Sequence, residues 1–205
     1  ANLPGRGRDA LTVMLPVWTP GSYLVREYAR HVDQVTSHAP DGRPLEVRKV
    51  RKNRWRIQLD GAAQAVLRYR VYAREASVRT SFVDERYFVL SGAATFLTDV
   101  DALERPHEIV ALPDAFADYA VDLPRTEAGG WAASSYDALV DAPIIGGKLR
   151  RFPFEVGGVP HELVQLGAEG LWPDARSAED VRKLTVTLAD FWGSVPYSRY
   201  LFLNV

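Results

Sequence analysis

Lys52-Asn53-Arg54-Trp55-Arg56-Ile57-Gln58-Leu59-Asp60-Gly61 carries the pattern on which the fold class turns. Trp55, Ile57 and Leu59 alternate with Arg56 and Gln58, and side chains two apart along a strand share one face. Lys52-Asn53 and Asp60-Gly61 bracket the run as turns, Asp-Gly being a strong hairpin signal. The same grammar repeats on either side. Asp9 to Val17 is an apolar run that reads as a first strand, and Val32 to Ser37 alternates as a half-buried strand does. Asp41-Gly42 with Pro44 makes a turn, and Leu45 to Val50 reads as one return strand. Ala65 to Ala73 follows Asp60-Gly61, with Leu67, Tyr69, Val71 and Ala73 in phase. Five short strands with turns at this spacing predict a mainly β chain built on an antiparallel sandwich or saddle-shaped sheet.

The rest of the chain is read by the same signals. Residues 74–86 are charged and weakly patterned, which predicts an irregular excursion. Tyr87 to Leu90 and Ala94 to Leu97 are short apolar runs, and His107 to Leu112 is a further strand ended by Pro113. Residues 113–130, with two prolines and Gly129-Gly130, read as a long connection. Ser134 or Ser135 is placed to cap a short helix through Val140. Composition shifts near Ile144-Ile145-Gly146-Gly147. Beyond it, Arg150 to Val156 and His161 to Leu166 flank a Gly157-Gly158 hairpin turn. Ser177 and Asp180 then open a helix in capping-box fashion, and Val181, Leu184, Leu188 and Phe191 form its apolar stripe. Gly193 ends it. Tyr200 to Val205 is a last strand, and a chain that stops inside a strand is expected to have been cut from something longer.

Composition narrows the function. The chain has 205 residues, with 47% hydrophobic and 25% charged, as soluble globular proteins do. Lys+Arg 25 against Asp+Glu 26 gives a net charge of −1, so no global field favours nucleic acid or an anionic membrane. The basic cluster from Arg48 to Arg56 reads as one solvated face of a hairpin, not as a nucleic-acid site. No run approaches the roughly 20 apolar residues of a membrane helix. Cysteine is absent, which excludes disulfides and thiolate chemistry and suits a cytoplasmic location, with the periplasm also compatible. The amino terminus has neither an initiator Met nor a signal peptide's apolar core.

Between the first two strands stands the densest functional candidate. Trp18-Thr19-Pro20-Gly21-Ser22-Tyr23-Leu24-Val25-Arg26-Glu27-Tyr28-Ala29-Arg30-His31 sets three aromatics beside two arginines and a histidine. Pro20-Gly21 has type II turn chemistry. One reading makes Trp18 and Tyr23 a plug at the end of the sandwich, with Arg26 and Arg30 in solvent. The other makes the loop a binding wall. Under both, Trp18 is expected in the core, where truncation to Ala costs about 3–5 kcal/mol.

The run from Pro16 to Glu27, Pro-Val-Trp-Thr-Pro-Gly-Ser-Tyr-Leu-Val-Arg-Glu, resembles the amino-terminal region of the glycyl aminopeptidase family of zinc metallopeptidases. That family is of gluzincin type and distantly related to aminopeptidase N. The resemblance continues through residues 135–143, 160–164 and 200–205. It implies that residues 1–143 are an amino-terminal β-domain and that 144–205 are the truncated start of a thermolysin-like peptidase domain, a partial α+β segment. It also implies that the parent enzyme removes residues from the amino end of peptides, with a preference for glycine or other small residues. There zinc would polarise the scissile carbonyl and activate water. Trp18, Gly21, Ser22, Tyr23 and Arg26 would lie near substrate, Arg26 meeting a peptide carboxylate or an acid of the peptidase domain. Ile145 stands where an acidic residue is expected in close relatives. The implied partners are the rest of the peptidase domain and, for the isolated chain, a second copy through the cut end. A stand-alone sandwich module binding peptide or carbohydrate is the alternative.

No catalytic constellation is legible in the chain itself. A zinc-binding His-Glu-x-x-His needs two histidines four apart on a helix. His107-Glu108 continues to Ala111 and His161-Glu162 to Gln165, both in strand-like segments. With four histidines in all, these residues are expected to hold no metal and to supply no catalytic group. Gly-x-Ser-x-Gly and phosphate-binding glycine loops are also absent.

Overall fold

The computed structural model describes residues 1–19, 24–116, 118–167, 170–171 and 173–205. Its contacts fall into two compact units. The first contains residues 1–83, 89–111 and 123–143. The second gathers 84–88, 112–122 and 144–205. Among the described residues no helix is long and apolar enough to cross a membrane.

The first unit is the expected antiparallel sandwich. One sheet runs in the order Asn2–Pro4, Gln64–Val71, Val32–His38, Pro44–Leu45. The other runs Thr98–Asp99, Ala10–Met14, Arg54–Gln58, Val47–Arg51. Leu3, Leu45, Ala65 and Leu67 from the first pack with Leu11, Val13, Trp55 and Ile57 from the second in one buried cluster. The single strand expected over Leu45 to Val50 is two strands in two different sheets. Leu45 is buried opposite Ser37, whereas Val47 pairs with Ile57 across the sandwich. Glu46, whose carbonyl accepts the Gln58 N–H at 2.9 Å, is the crossing point. Alternation alone cannot register such a switch, because the inward phase continues from one sheet to the next.

Two other short elements depart from expectation. The apolar run Ala94 to Leu97 begins inside a one-turn helix, Gly92–Thr95, and is extended again at Phe96. It fits where it does because Gly92 lies against Val140 of the neighbouring helix, and a Cβ there would come within 2.6 Å of that backbone. The connection over 113–130 contains a strand, Tyr119–Val121, paired with Ile144–Gly146. Tyr136–Asp141 is helical as read, and Ser135 is its cap, accepting the Ala138 N–H at 3.1 Å.

In the second unit Leu149–Val156 and Val159–Leu166 form a hairpin, and Tyr200–Asn204 lies parallel to the second strand. Gly157 and Gly158 turn it with φ of 61° and 77°, a left-handed pair only glycine adopts at low cost. Pro153 sits on the outer strand of the three, where a missing N–H is tolerated. The helix Asp174–Trp192 links the central strand to the parallel one.

That helix starts a turn before Ser177, so the capping box is not used. Ser177 N–H already bonds the Pro173 carbonyl at 3.0 Å. Asp174 takes the first turn instead. Its carboxylate accepts from Arg150 Nε at 2.6 Å and from Gln165 Nε2 at 3.0 Å, and Asn204 Nδ2 donates to Gln165 Oε1 at 2.7 Å. A polar ladder thus ties all three strands to the helix start, where the dipole favours an anion. Most of the expected apolar stripe is turned outward. Thr185 is the buried residue of the helix and Ala178, Val181 and Ala189 are half-buried, while Leu184, Leu188, Phe191 and Trp192 are exposed, Phe191 at 75%. Small side chains let the helix lie close to the sheet, and the large ones remain outside.

Two outcomes test this packing. An added Cβ at Gly146 would lie 2.4 Å from the Phe88 ring and 2.9 Å from that of Tyr119. Gly146→Ala is therefore expected to lower stability in urea by about 1–3 kcal/mol, as overpacking does. The Arg150 guanidinium beside Asp174 holds its carboxyl below the usual range. A depressed folded pKa adds stability above the unfolded value, about 3.9, that is lost as pH falls through the folded one. Asp174→Asn should be less stable than wild type at neutral pH, with the gap in urea midpoint closing below about pH 4. A gap of constant size across that range would refute the ladder's ionic part.

Candidate functional site

The loop after the first long strand is built on fixed feet. Ala10–Met14 delivers Leu15 into the core, where its N–H bonds the Asn53 carbonyl at 3.1 Å and its carbonyl accepts Asn53 Nδ2 at 2.6 Å. Two residues on, the Val17 carbonyl accepts the Arg26 N–H at 2.6 Å and closes the loop's neck. Past the neck, Glu27 meets Lys52 Nζ at 2.7 Å, and the 3₁₀ turn Tyr28–His31 buries Tyr28 and Ala29 in the sandwich core. The loop's two feet are thus a two-bond clamp on one side and a hydrophobic anchor on the other.

On that loop Trp18 is 51% exposed, and Leu24 and Val25 more so. Trp18 is therefore not the core plug expected; the plug is Tyr28, reached by the chain only after it has left the loop. The reason is the clamp at Leu15 and Asn53, which ends the strand and turns the chain outward before Trp18. Arg26 is half-buried at the neck. Pro20, Gly21, Ser22 and Tyr23 lie outside the described residues, and so do the turn type and the Tyr23 position expected for them.

A polar flank adjoins the 3₁₀ turn. The His31 ring stacks on Tyr72 with centroids 6.1 Å apart and planes at 12°. Its Nε2 accepts the Arg30 Nε–H at 3.0 Å, while Glu75 approaches Arg30 at 3.4 Å and His31 at 3.8 Å. Tyr72 and Glu75 come from the far end of strand Gln64–Val71 and the segment read as an excursion, so sequence order hides them. Tyr72 falls within the run 65–73 but on the phase opposite to Leu67, Tyr69, Val71 and Ala73. The group offers a cation, an aromatic face and an acceptor to a ligand's polar ends.

The resemblance implies zinc in the parent enzyme and none held by these residues. Among the described residues no three His, Asp or Glu side chains are placed to hold a metal ion. His107 Nδ1–H donates to the Arg105 carbonyl at 2.8 Å, and its Nε2 accepts from Thr98 at 2.7 Å. His161 is likewise satisfied, by the Val159 carbonyl at 2.9 Å and Tyr197 Oη at 3.0 Å. In both His-Glu pairs the imidazole nitrogens are engaged in hydrogen bonds within the fold. Ile145, where the resemblance leads one to expect an acid, is buried.

Three comparisons place the chain. The model of the Peptidase M61 N-terminal domain matches residues 1–148. The crystal structure of an aminopeptidase N family protein from Idiomarina loihiensis aligns with a TM-score of 0.89 and 27% identity, over 98% of this chain. It aligns over 35% of that protein, so the chain spans about a third of that neighbour's length. Legionella pneumophila aminopeptidase A, solved in complex with aspartic acid, aligns with a TM-score of 0.51 over 96% of this chain and 24% of its own. At 11% identity that second likeness concerns the fold alone. A search of curated proteins found no significant match. With more than two thirds of its length in the matched region, the chain belongs to the family of Peptidase M61 N-terminal domains.

Proposed function

We propose that the chain is the non-catalytic amino-terminal part of a zinc-dependent aminopeptidase and that its 17–26 loop borders the cleft for the peptide's amino-terminal end. The observation that carries this is the match of residues 1–148 to a peptidase family's N-terminal domain, in a chain covering only 35% of its Idiomarina neighbour. Hydrolysis, with a preference for small residues such as glycine, belongs in this reading to residues outside the chain. The loop's contribution is positional. Fixed feet hold Trp18, Leu24 and Val25 where they exclude water from an apolar ligand segment, and Arg26 at the neck supplies a charge for a carboxylate.

In the full-length protein, Arg26→Ala is expected to lower kcat/KM with little change in melting temperature. One charge-assisted hydrogen bond is worth about 1.5–3 kcal/mol, roughly tenfold to a hundredfold in rate. Wild-type kinetics in the folded variant would return the loop to a structural role. If the 205-residue chain alone held peptide or oligosaccharide as tightly as the full-length protein, the exposed Trp18 would instead mark a stand-alone binding module.

The outward stripe of the helix Asp174–Trp192 belongs to the same reading. In the parent it is the surface the peptidase domain covers, and in the isolated chain a second copy takes that place. Sedimentation velocity on the isolated chain should show concentration-dependent self-association that Leu184→Glu with Phe191→Glu abolishes. A wild-type chain that stays monomeric at high concentration would contradict it.

A further inference from the structure

The outer face of the sheet containing Arg54–Gln58 carries charges that its own fold does not explain. Arg48 stands directly opposite Arg56, and Arg51 opposite Arg54, so two cross-strand pairs join like charges. Directly opposed like charges destabilise a sheet. Arg48 is relieved by Glu46, 2.7 Å away. Among the described residues no carboxylate or hydrogen-bond partner meets the side chains of Arg51, Arg54 or Arg56, and register places Glu46 as the one carboxylate on this face.

Edge protection accounts for part of this. Val47–Arg51 is the last strand of its sheet, and charge on an edge discourages pairing with other chains. Arg54 and Arg56, however, are on a strand flanked on both sides, by Ala10–Met14 and Val47–Arg51. An interior strand has no edge to protect.

We propose that this face binds an acidic, extended polypeptide segment, with carboxylates at alternate positions each meeting one cross-strand pair, Arg56 with Arg48 and Arg54 with Arg51. Residues two apart on a strand are about 7 Å apart, and an extended ligand presents alternate side chains at the same interval. Guanidinium groups suit carboxylates through their paired N–H donors. A nucleic-acid strand is the poorer match, because single-strand binding relies on exposed aromatic platforms. Here Trp55 is buried on the opposite face, with Lys49 Nζ 5.1 Å above its ring. The proposal is independent of the aminopeptidase reading.

The test uses the 205-residue chain and fluorescence anisotropy. The probes are an alternating Glu-Thr peptide, an alternating Lys-Thr peptide and an oligodeoxythymidine strand of equal length. Micromolar binding of the Glu-Thr peptide at low salt is expected, weakening as salt screens the contacts. Arg54→Glu with Arg56→Glu should lower affinity by at least about tenfold, the effect of losing 1.4 kcal/mol. The double variant's melting temperature should be unchanged or higher, since the opposed pairs are relieved. Arg48→Thr with Arg51→Thr provides an independent pair should the first fold poorly, and should weaken binding in the same direction. Absence of Glu-Thr binding, undiminished affinity in a folded variant, or tighter binding of the oligonucleotide would each overturn the proposal.

Discussion

The pairing of Ala10–Met14 with Arg54–Gln58 is the constraint from which the first unit follows. Leu11 faces Ile57 and Val13 faces Trp55 across that ladder, and all four are buried. Burial of each such side chain is worth about 1.5–3 kcal/mol relative to exposure. Because a strand alternates its faces, a slip by one residue would bring Arg54 and Arg56 into the core and expel Trp55 and Ile57. The register is therefore held from both sides. It also fixes what lies beyond the strands. Leu15 and Asn53 meet because their strands are aligned, and their two bonds set the direction in which the chain leaves for the 17–26 loop. The loop's aim is in this sense a consequence of core packing.

The second unit solves a different problem. Its three strands and one helix have little apolar surface to share, because the helix turns Ala178, Thr185 and Ala189 inward. A polar ladder compensates for some of that. Gln165, 1% exposed, both donates to Asp174 and accepts from Asn204, so both ends of its amide are satisfied. A buried amide with one end unpaired would be costly, and the ladder accordingly specifies one arrangement of strands and helix. Elsewhere in the unit Arg151 reaches Asp118 at 2.9 Å and Glu162 at 3.0 Å, joining the 112–122 segment to the hairpin. Segments remote in sequence are thus recruited by charge as well as by the Phe88, Phe116 and Tyr119 rings.

Much of the candidate site was legible and part was not. The density of aromatics and arginines from Trp18 to His31 marked the loop, and turn signals bounded it. Composition does not tell which of its aromatics is buried: Tyr28 is in the core and Trp18 is exposed. Tyr28 returns to the core because the 3₁₀ turn points it there; Trp18 does not because the strand has ended at Leu15. Tyr72 and Glu75 could not have been found from spacing, as they reach His31 and Arg30 only through the pairing of Val32 with Val71.

The sequence by itself determined the β class, most strand positions, a serine cap at 134 or 135, the Gly157-Gly158 hairpin and the absence of a zinc-binding motif. These rest on local chemistry: alternation, turn propensity and the spacing of ligands. The tertiary structure alone decided three other matters. It divided residues 44–51 between two sheets, because an inward phase is the same whichever sheet receives it. It started the last long helix at Asp174, because Arg150 and Gln165, remote in sequence, fix that carboxylate at the helix start. And it turned Leu184, Leu188 and Phe191 outward, because hydrophobic periodicity shows that a helix has an apolar side but not what that side will meet.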